Sequence, residues 1–267
     1  MKADFHIHSS FSGDCDTPPE EMIQAGIRHG LSILCFTEHL DADYPPYPDI
    51  SFELDTPAYL QSIRSLQDKW KGQLDIRIGT ELGLQPHLGS FYRSYVNQYP
   101  FDFVIGSTHL VDQFDPYYPE FWEIYSAREG ICRYLETNLK NIQAFDDFDV
   151  YGHLDYIVRY APMEPRKFRY SDYADLTDEI LKLLIEKGKG IEINTGGFKA
   201  GLGVPNPCPD ILRRYRELGG EIITTGSDAH FPHYTGYFFD EAQEILRSCG
   251  FRYFTVYKER KPSFVKL

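Results

Sequence analysis

The chain has 267 residues, with 27 Lys and Arg against 40 Asp and Glu, a net charge of -13. That balance argues against a nucleic-acid partner or an anionic membrane surface, because phosphate backbones are held by Lys and Arg. An anionic substrate gripped by metal ions in a small pocket stays open, and hydrophobic content of 42% supports a real core.

Short apolar runs alternate with longer amphipathic segments from end to end. Strands are predicted at Ala3 to His8, Ser32 to Thr37, Asp75 to Thr80, Phe103 to Ser107, Val150 to His153, Gly190 to Asn194 and Glu221 to Thr225, with a further one at Arg252 to Val256. Between them, Pro18-Pro19-Glu20-Glu21 opens a helix that Gly30 follows, and Thr56-Pro57 opens another. Asp175 to Lys187 carries a helical apolar stripe ending at Gly188, and Pro209 to Leu218 ends at Gly219-Gly220. Such regular alternation argues a parallel sheet, and seven or eight repeats argue its closure into a barrel. Nothing divides the chain, so residues 1–267 read as one domain. Leu40 to Asp55 and Asp112 to Tyr125 are long for simple connections and rich in aromatic residues. They are expected to be either substrate walls and lids or packed surface loops.

Five cysteines (Cys15, Cys35, Cys132, Cys208, Cys249) are dispersed without a CxxC pair and read as reduced thiols. Cys15 lies close enough to the first strand to be weighed as a ligand, against ordinary packing. With no secretory signal and no apolar run of roughly 18 residues, the chain is expected to be cytoplasmic, without a membrane partner.

The strand ends carry the chemistry. His6 and His8 are two apart on a strand, so both imidazoles project from one face. Asp14 lies just beyond, and the next strands end in Thr37-Glu38-His39, Gly79-Thr80-Glu81, Ser107-Thr108-His109, Gly152-His153-Leu154-Asp155 and Ser227-Asp228-Ala229-His230. In a parallel barrel these ends converge on one face, where active sites of this architecture sit. His6, His8, Asp14, His39, Glu81, His109, His153, Asp228 and His230 make nine candidate ligands. One catalytic zinc needs about three, so the set implies roughly two or three ions. Its mixture of imidazole and carboxylate suits Zn, Mn or Fe better than Mg. Glu38 and Asp155 are expected to orient histidines. His29, at a helix end, and His87, in a loop, are expected to be structural or exposed. His233 is close enough to His230 for a supporting or acid role.

Taken in order from residue 4 to about 234, these motifs resemble those of the PHP (polymerase and histidinol phosphatase) superfamily. The resemblance implies a distorted (β/α)7, TIM-like barrel with a trinuclear metal centre at the C-terminal face of its strands. It would place the first metal on His6, His8, Glu81 and Asp228, with Glu81 bridging to a second on His109 and His153. A third would rest on Asp14, His39 and His230. Within the superfamily, Gly152 to Tyr160 and Glu192-Ile193-Asn194-Thr195-Gly196 resemble the stand-alone histidinol-phosphate phosphatases of histidine biosynthesis.

The chemistry this implies is hydrolysis of a small phosphate ester. Water between two divalent ions, deprotonated near neutral pH, attacks phosphorus, with Glu81 setting the metal spacing. Arg159 and Lys199 follow motifs at the active face and are candidates to bind the phosphate. The Arg166, Lys167 and Arg169 cluster is expected to be solvated. Asp228, His230 or His233 would protonate the leaving alkoxide. Three alternatives stay open: a PHP phosphoesterase for a nucleotide or oligonucleotide end, a barrel deaminase or amidohydrolase, and a non-catalytic metal-binding protein.

Overall fold

Seven strands pair side by side in chain order, every pair parallel: β1 (Ala3–Asp4), β2 (Ile33–Leu40), β3 (Asp75–Gly83), β4 (Phe103–Ser107), β5 (Val150–Tyr151), β6 (Gly190–Asn194) and β7 (Ile223–Gly226). The structure is a computed structural model that describes residues 2–46, 50–164 and 166–267. The ring closes where the chain leaving β1 crosses to β7. Phe5 N donates to Thr225 O at 2.9 Å, Asp228 N donates to His6 O at 2.7 Å, and Ile7 bridges Ala229. The sheet is therefore a barrel of seven strands.

Helices follow the strands: α1 (Pro19–Arg28), α2 (Thr56–Lys69), α3 (Gly89–Gln98), α4 (Pro119–Ile124), α5 (Ala127–Ala144), α6 (Ala174–Glu186), α7 (Gly196–Lys199), α8 (Pro209–Glu217) and α9 (Phe239–Ser248). Proline and acidic residues in the first turn start α1, and the Asp55 carboxylate caps α2 by accepting from Ala58 N. The longer helices turn an apolar face inward, as Met22 and Ile23 of α1 and Ile180, Leu181 and Leu184 of α6 show. None of the described helices is long and apolar enough to cross a membrane.

Several strand limits differ from expectation. Regular ladder pairing of β1 with β2 stops at Asp4, although the extended path runs on through Ile7, whose carbonyl still accepts from Thr37 N of β2 and which bridges Ala229 on the other side. β2 and β3 reach past Thr37 and Thr80 to include His39 and Glu81, and β7 starts at Ile223, two residues later than predicted.

The strand predicted at Arg252 to Val256 does not join the barrel. It is β8 (Tyr253–Lys258), which pairs antiparallel with β9 (Lys261–Lys266). This hairpin covers the end of the barrel where the strands begin. Tyr257 packs against Phe103 with tilted rings whose centres are 5.1 Å apart, and Arg260 reaches Asp149 and Asp147 just before β5. Closing that end leaves the opposite mouth, at the strands' C-terminal ends, for chemistry.

Candidate metal centre and substrate cavity

Glu81, fully buried on β3, is the hub. The parallel register sets His39 of β2 directly beside it. One carboxylate oxygen, Oε2, faces His6 Nε2 at 3.0 Å, His39 Nδ1 at 3.2 Å and His8 Nε2 at 3.5 Å. The other, Oε1, faces His153 Nε2 at 3.0 Å and His109 Nε2 at 3.3 Å, and accepts from Ser107 Oγ at 2.7 Å. A single carboxylate thus divides the imidazoles into two sets.

The remaining predicted residues lie on the His8 side. His8 stacks against His39 and His230, with ring centres 4.2 and 4.4 Å apart. Asp14 Oδ2 is 3.1 Å from His230 Nε2 and 3.6 Å from His39 Nε2, and Asp228 Oδ1 is 3.7 Å from His8 Nε2. Asp228 has a left-handed backbone, φ 54, which aspartate tolerates better than most residues. Its conformation is held from two sides. Asp4, buried on β1, accepts from Ser227 N and Oγ and from Gly236 N, and Lys199 Nζ donates to Asp228 O at 2.8 Å. Burial pushes the Asp4 carboxyl up to about 6 despite those hydrogen bonds.

These donors suit divalent cations. His8 Nε2 and His39 Nδ1 are buried and find no hydrogen-bond partner among the described residues, an arrangement that costs about 1–3 kcal/mol per atom unless something else binds there. Triplets such as His6–His8–Glu81, Glu81–His109–His153 and His8–His39–His230 have ligand atoms within 4.8 Å of one another. Burial, with the nearby His39 and His230, pushes His8 well below its ordinary value and so keeps it neutral, the form a metal requires. Burial would raise Glu81, but the imidazoles of His6, His39 and His109 outweigh it and hold the carboxyl well below its usual range.

Residues to which the sequence assigned no role support this cluster. Glu192 on β6 lies 2.9 Å from His6 Nδ1, and Asp41 lies 2.6 Å from His109 Nδ1. Both could have been found by strand alternation. Glu192 is an acid at an inward position of an apolar strand, and Asp41 is two residues beyond His39. Glu38 accepts from Ser9 N and from the Ser9 and Ser12 hydroxyls, and Ser12 Oγ lies 3.0 Å from His8 Nδ1, so Glu38 reaches a histidine only through serine. Asp155 does not orient a histidine. Past the end of β5 the alternation is lost, and its carboxylate accepts from Asn206 Nδ2 and Cys208 N.

A cavity of about 460 Å³ opens over the cluster, lined by Asp14, His39, Asp41, His109, His153, Asp228 and His230 on its floor. Tyr44, Ile50 and Phe52 from the first long connection and Asp115, Tyr117 and Tyr118 from the second form its walls. Residues 47–49 of the first connection, including Pro48, lie outside the described residues. The second is not a simple loop, since it contains all of α4.

Arg159 and Lys199 also line the cavity. Arg159 is buried, and its guanidinium donates to Asp228 Oδ2 at 2.8 Å, Asn206 Oδ1 at 2.8 Å and Asn194 Oδ1 at 3.0 Å. Burial raises the Asp228 carboxyl, but Arg159 and Lys199 outweigh it and hold the group well below its usual range.

His233 is not brought to the site. Pro232–Tyr234 forms a 3-10 turn that carries its ring outward, exposed and against Tyr234, with ring centres 4.1 Å apart. His233→Ala is therefore expected to leave kcat and KM of phosphate-ester hydrolysis unchanged, whereas a loss of turnover would restore it as an acid. Arg166 is also not freely solvated. It donates to Arg159 O and Ala200 O, while Lys167 and Arg169 are exposed. Cys15 Sγ donates to His230 O instead of joining the ligand set. His29 Nδ1 lies 2.6 Å from Thr235 O, and His87 is exposed beside Asp43.

This site, on this barrel, agrees with comparisons to known proteins. The PHP domain matches residues 4–196, and the chain belongs to that family. It is 34% identical to a histidinol-phosphatase of Lactococcus lactis over 94% of this chain and 92% of that one. A probable histidinol-phosphatase of Clostridium acetobutylicum is 31% identical over 94% of this chain and 95% of its own. The crystal structure of a histidinol phosphate phosphatase from Lactococcus lactis, complexed with zinc, L-histidinol and phosphate, superposes with a TM-score of 0.89 at 32% identity, covering 98% of both chains.

Proposed function

We propose that this chain is a metal-dependent phosphomonoester hydrolase that converts L-histidinol phosphate and water into L-histidinol and phosphate, a step of histidine biosynthesis. The observation that carries this reading is the nearly full-length match to a phosphatase solved with zinc, L-histidinol and phosphate. It is supported by a chain that gathers its nine metal-capable candidates beneath one small cavity. A cavity of that size accommodates a small phosphate ester better than a nucleic-acid strand. We place the enzyme in the cytoplasm, where the free cysteines would stay reduced.

In this reading the ligands are His6, His8, Asp14, His39, Glu81, His109, His153, Asp228 and His230, holding two or three ions of zinc, manganese or iron, with Glu81 shared between two of them. Such ions, when bound, acidify a water and neutralise phosphoryl charge. The protein supplies the rest. Glu81 fixes the spacing of the two imidazole sets, and the buried floor excludes bulk water. Arg159 and Lys199 offer N–H groups to the phosphate, because their contacts to Asp228, Asn194 and Asn206 leave other donors on each cation unused. Asp228, held ionised by Arg159 and Lys199, has no proton to give, so protonation of the leaving alkoxide falls to His230, which also lines the cavity.

Phosphate release from L-histidinol phosphate, measured against a panel of nucleotide and sugar phosphates, tests the substrate. Lys199→Met should raise KM about tenfold, equivalent to ~1.4 kcal/mol of phosphate binding, with metal content unchanged. Arg159→Ala should do the same and also lower metal content, because it releases Asp228. An unchanged KM in both variants would leave phosphate binding to the metals alone.

A further inference from the structure

Glu192 of β6 touches none of the cavity and is 1% exposed, yet it joins the two imidazole sets from beneath. Its Oε2 lies 2.9 Å from His6 Nδ1. Its Oε1 accepts from His153 N at 2.7 Å and from Asn194 Nδ2 at 3.0 Å. His6 faces one oxygen of Glu81 and His153 faces the other, so a single buried carboxylate braces residues on both sides of the hub.

The neighbouring strands are built around it. A Cβ on Gly226, at the end of β7, would lie 2.7 Å from Glu192 Oε2 and 2.4 Å from His6 Cβ. A Cβ on Gly152, just after β5, would lie 3.4 Å from Glu192 Oε1 and 2.2 Å from Ser107 Oγ, the hydroxyl that donates to Glu81. Glycine on each side therefore gives the carboxylate and its partners their room.

We infer that Glu192 is a positioning residue that fixes the ring orientation and tautomer of His6 and the height of His153, and so sets how tightly the centre holds its metals. An ionised carboxylate only accepts, so His6 Nδ1 must carry the hydrogen. The Nε2 lone pair is then left pointing at the Glu81 hub. Asn194 extends the brace, since its amide donates to Glu192 and its carbonyl accepts from Arg159, which holds Asp228. Removing such an orienting partner typically weakens metal binding about 10- to 100-fold.

This inference rests on the metal-centre reading but not on the substrate, so its test uses zinc alone. The full chain is stripped of metal, and zinc affinity is measured by competition with a chromophoric chelator, alongside the thermal midpoint of the metal-free protein. Glu192→Gln keeps the shape and should bind zinc at least tenfold more weakly, with an unchanged metal-free midpoint. Glu192→Asp keeps the charge and should recover part of the loss; it also serves if the glutamine variant fails to fold. Parent affinity in both variants, or a fall in midpoint with no change in affinity of the folded protein, would overturn the assignment. A parent that binds no zinc would overturn it together with the metal centre. A parent that binds zinc but leaves L-histidinol phosphate intact would remove the proposed substrate and leave this inference standing.

Discussion

Glu81→Gln is expected to lower kcat by at least ~100-fold while KM for the phosphate ester moves little, the pattern of an interaction needed in the transition state more than in the ground state. The glutamate presents one oxygen to His6, His8 and His39 and the other to His109 and His153. Glutamine has one carbonyl and one amide group, and an amide N–H cannot ligate a cation. One imidazole set would lose its shared anion and the spacing between the two sets would no longer be fixed. Ser107 would remain beside the altered group, so the fold has no reason to collapse. Elemental analysis alongside the kinetics separates loss of an ion from loss of geometry. Near-parent turnover at full metal content would show that Glu81 does not bridge.

Metal removal should have the second large effect. Prolonged dialysis against a chelator should abolish phosphate release, and adding back zinc or manganese should restore it. Protein prepared without chelator should hold roughly two or three ions per chain. The buried His8 and His39 nitrogens without hydrogen-bond partners explain why the stripped protein should also be less stable. Each is left desolvated at a cost of about 1–3 kcal/mol when no cation is present. Less than one ion per chain in active protein would exclude a multinuclear centre.

That the candidate ligands would gather in one place was legible in the sequence for a geometric reason. A parallel barrel whose strands pair in chain order brings every strand's C-terminal end to one rim, so residues as distant as His8 and His230 needed no long-range guess. Strand alternation then set His6 and His8 to one side, and their rings lie 5.2 Å apart. What was illegible lies where that geometry stops. Asp155 and His233 stand past strand ends, where a 3-10 turn or an irregular path decides direction, and both point elsewhere than expected. The β8–β9 hairpin was hidden because its turn places Glu259 and Arg260 at positive φ, a conformation usually signalled by Asn or Gly. Arg159 follows a motif at the active rim as predicted, but sequence could not reveal that Asp228, Asn194 and Asn206 already hold it.

The alternatives differ in what they release. A phosphoesterase acting on nucleotides would use the same metals but a different cavity wall, and a barrel deaminase would release ammonia. The aromatic wall of Tyr44, Phe52, Tyr117 and Tyr118 over a metal-binding floor suits a compact amino alcohol with an imidazole ring. The most direct measurement is inorganic phosphate released from L-histidinol phosphate by the metal-reconstituted chain, with nucleotide monophosphates and a 5′-phosphorylated oligonucleotide as parallel substrates. Turnover of L-histidinol phosphate is expected well above the others, lost on chelation and restored by metal. Metal-loaded protein that leaves L-histidinol phosphate intact, or that prefers the oligonucleotide end, would contradict the proposed function.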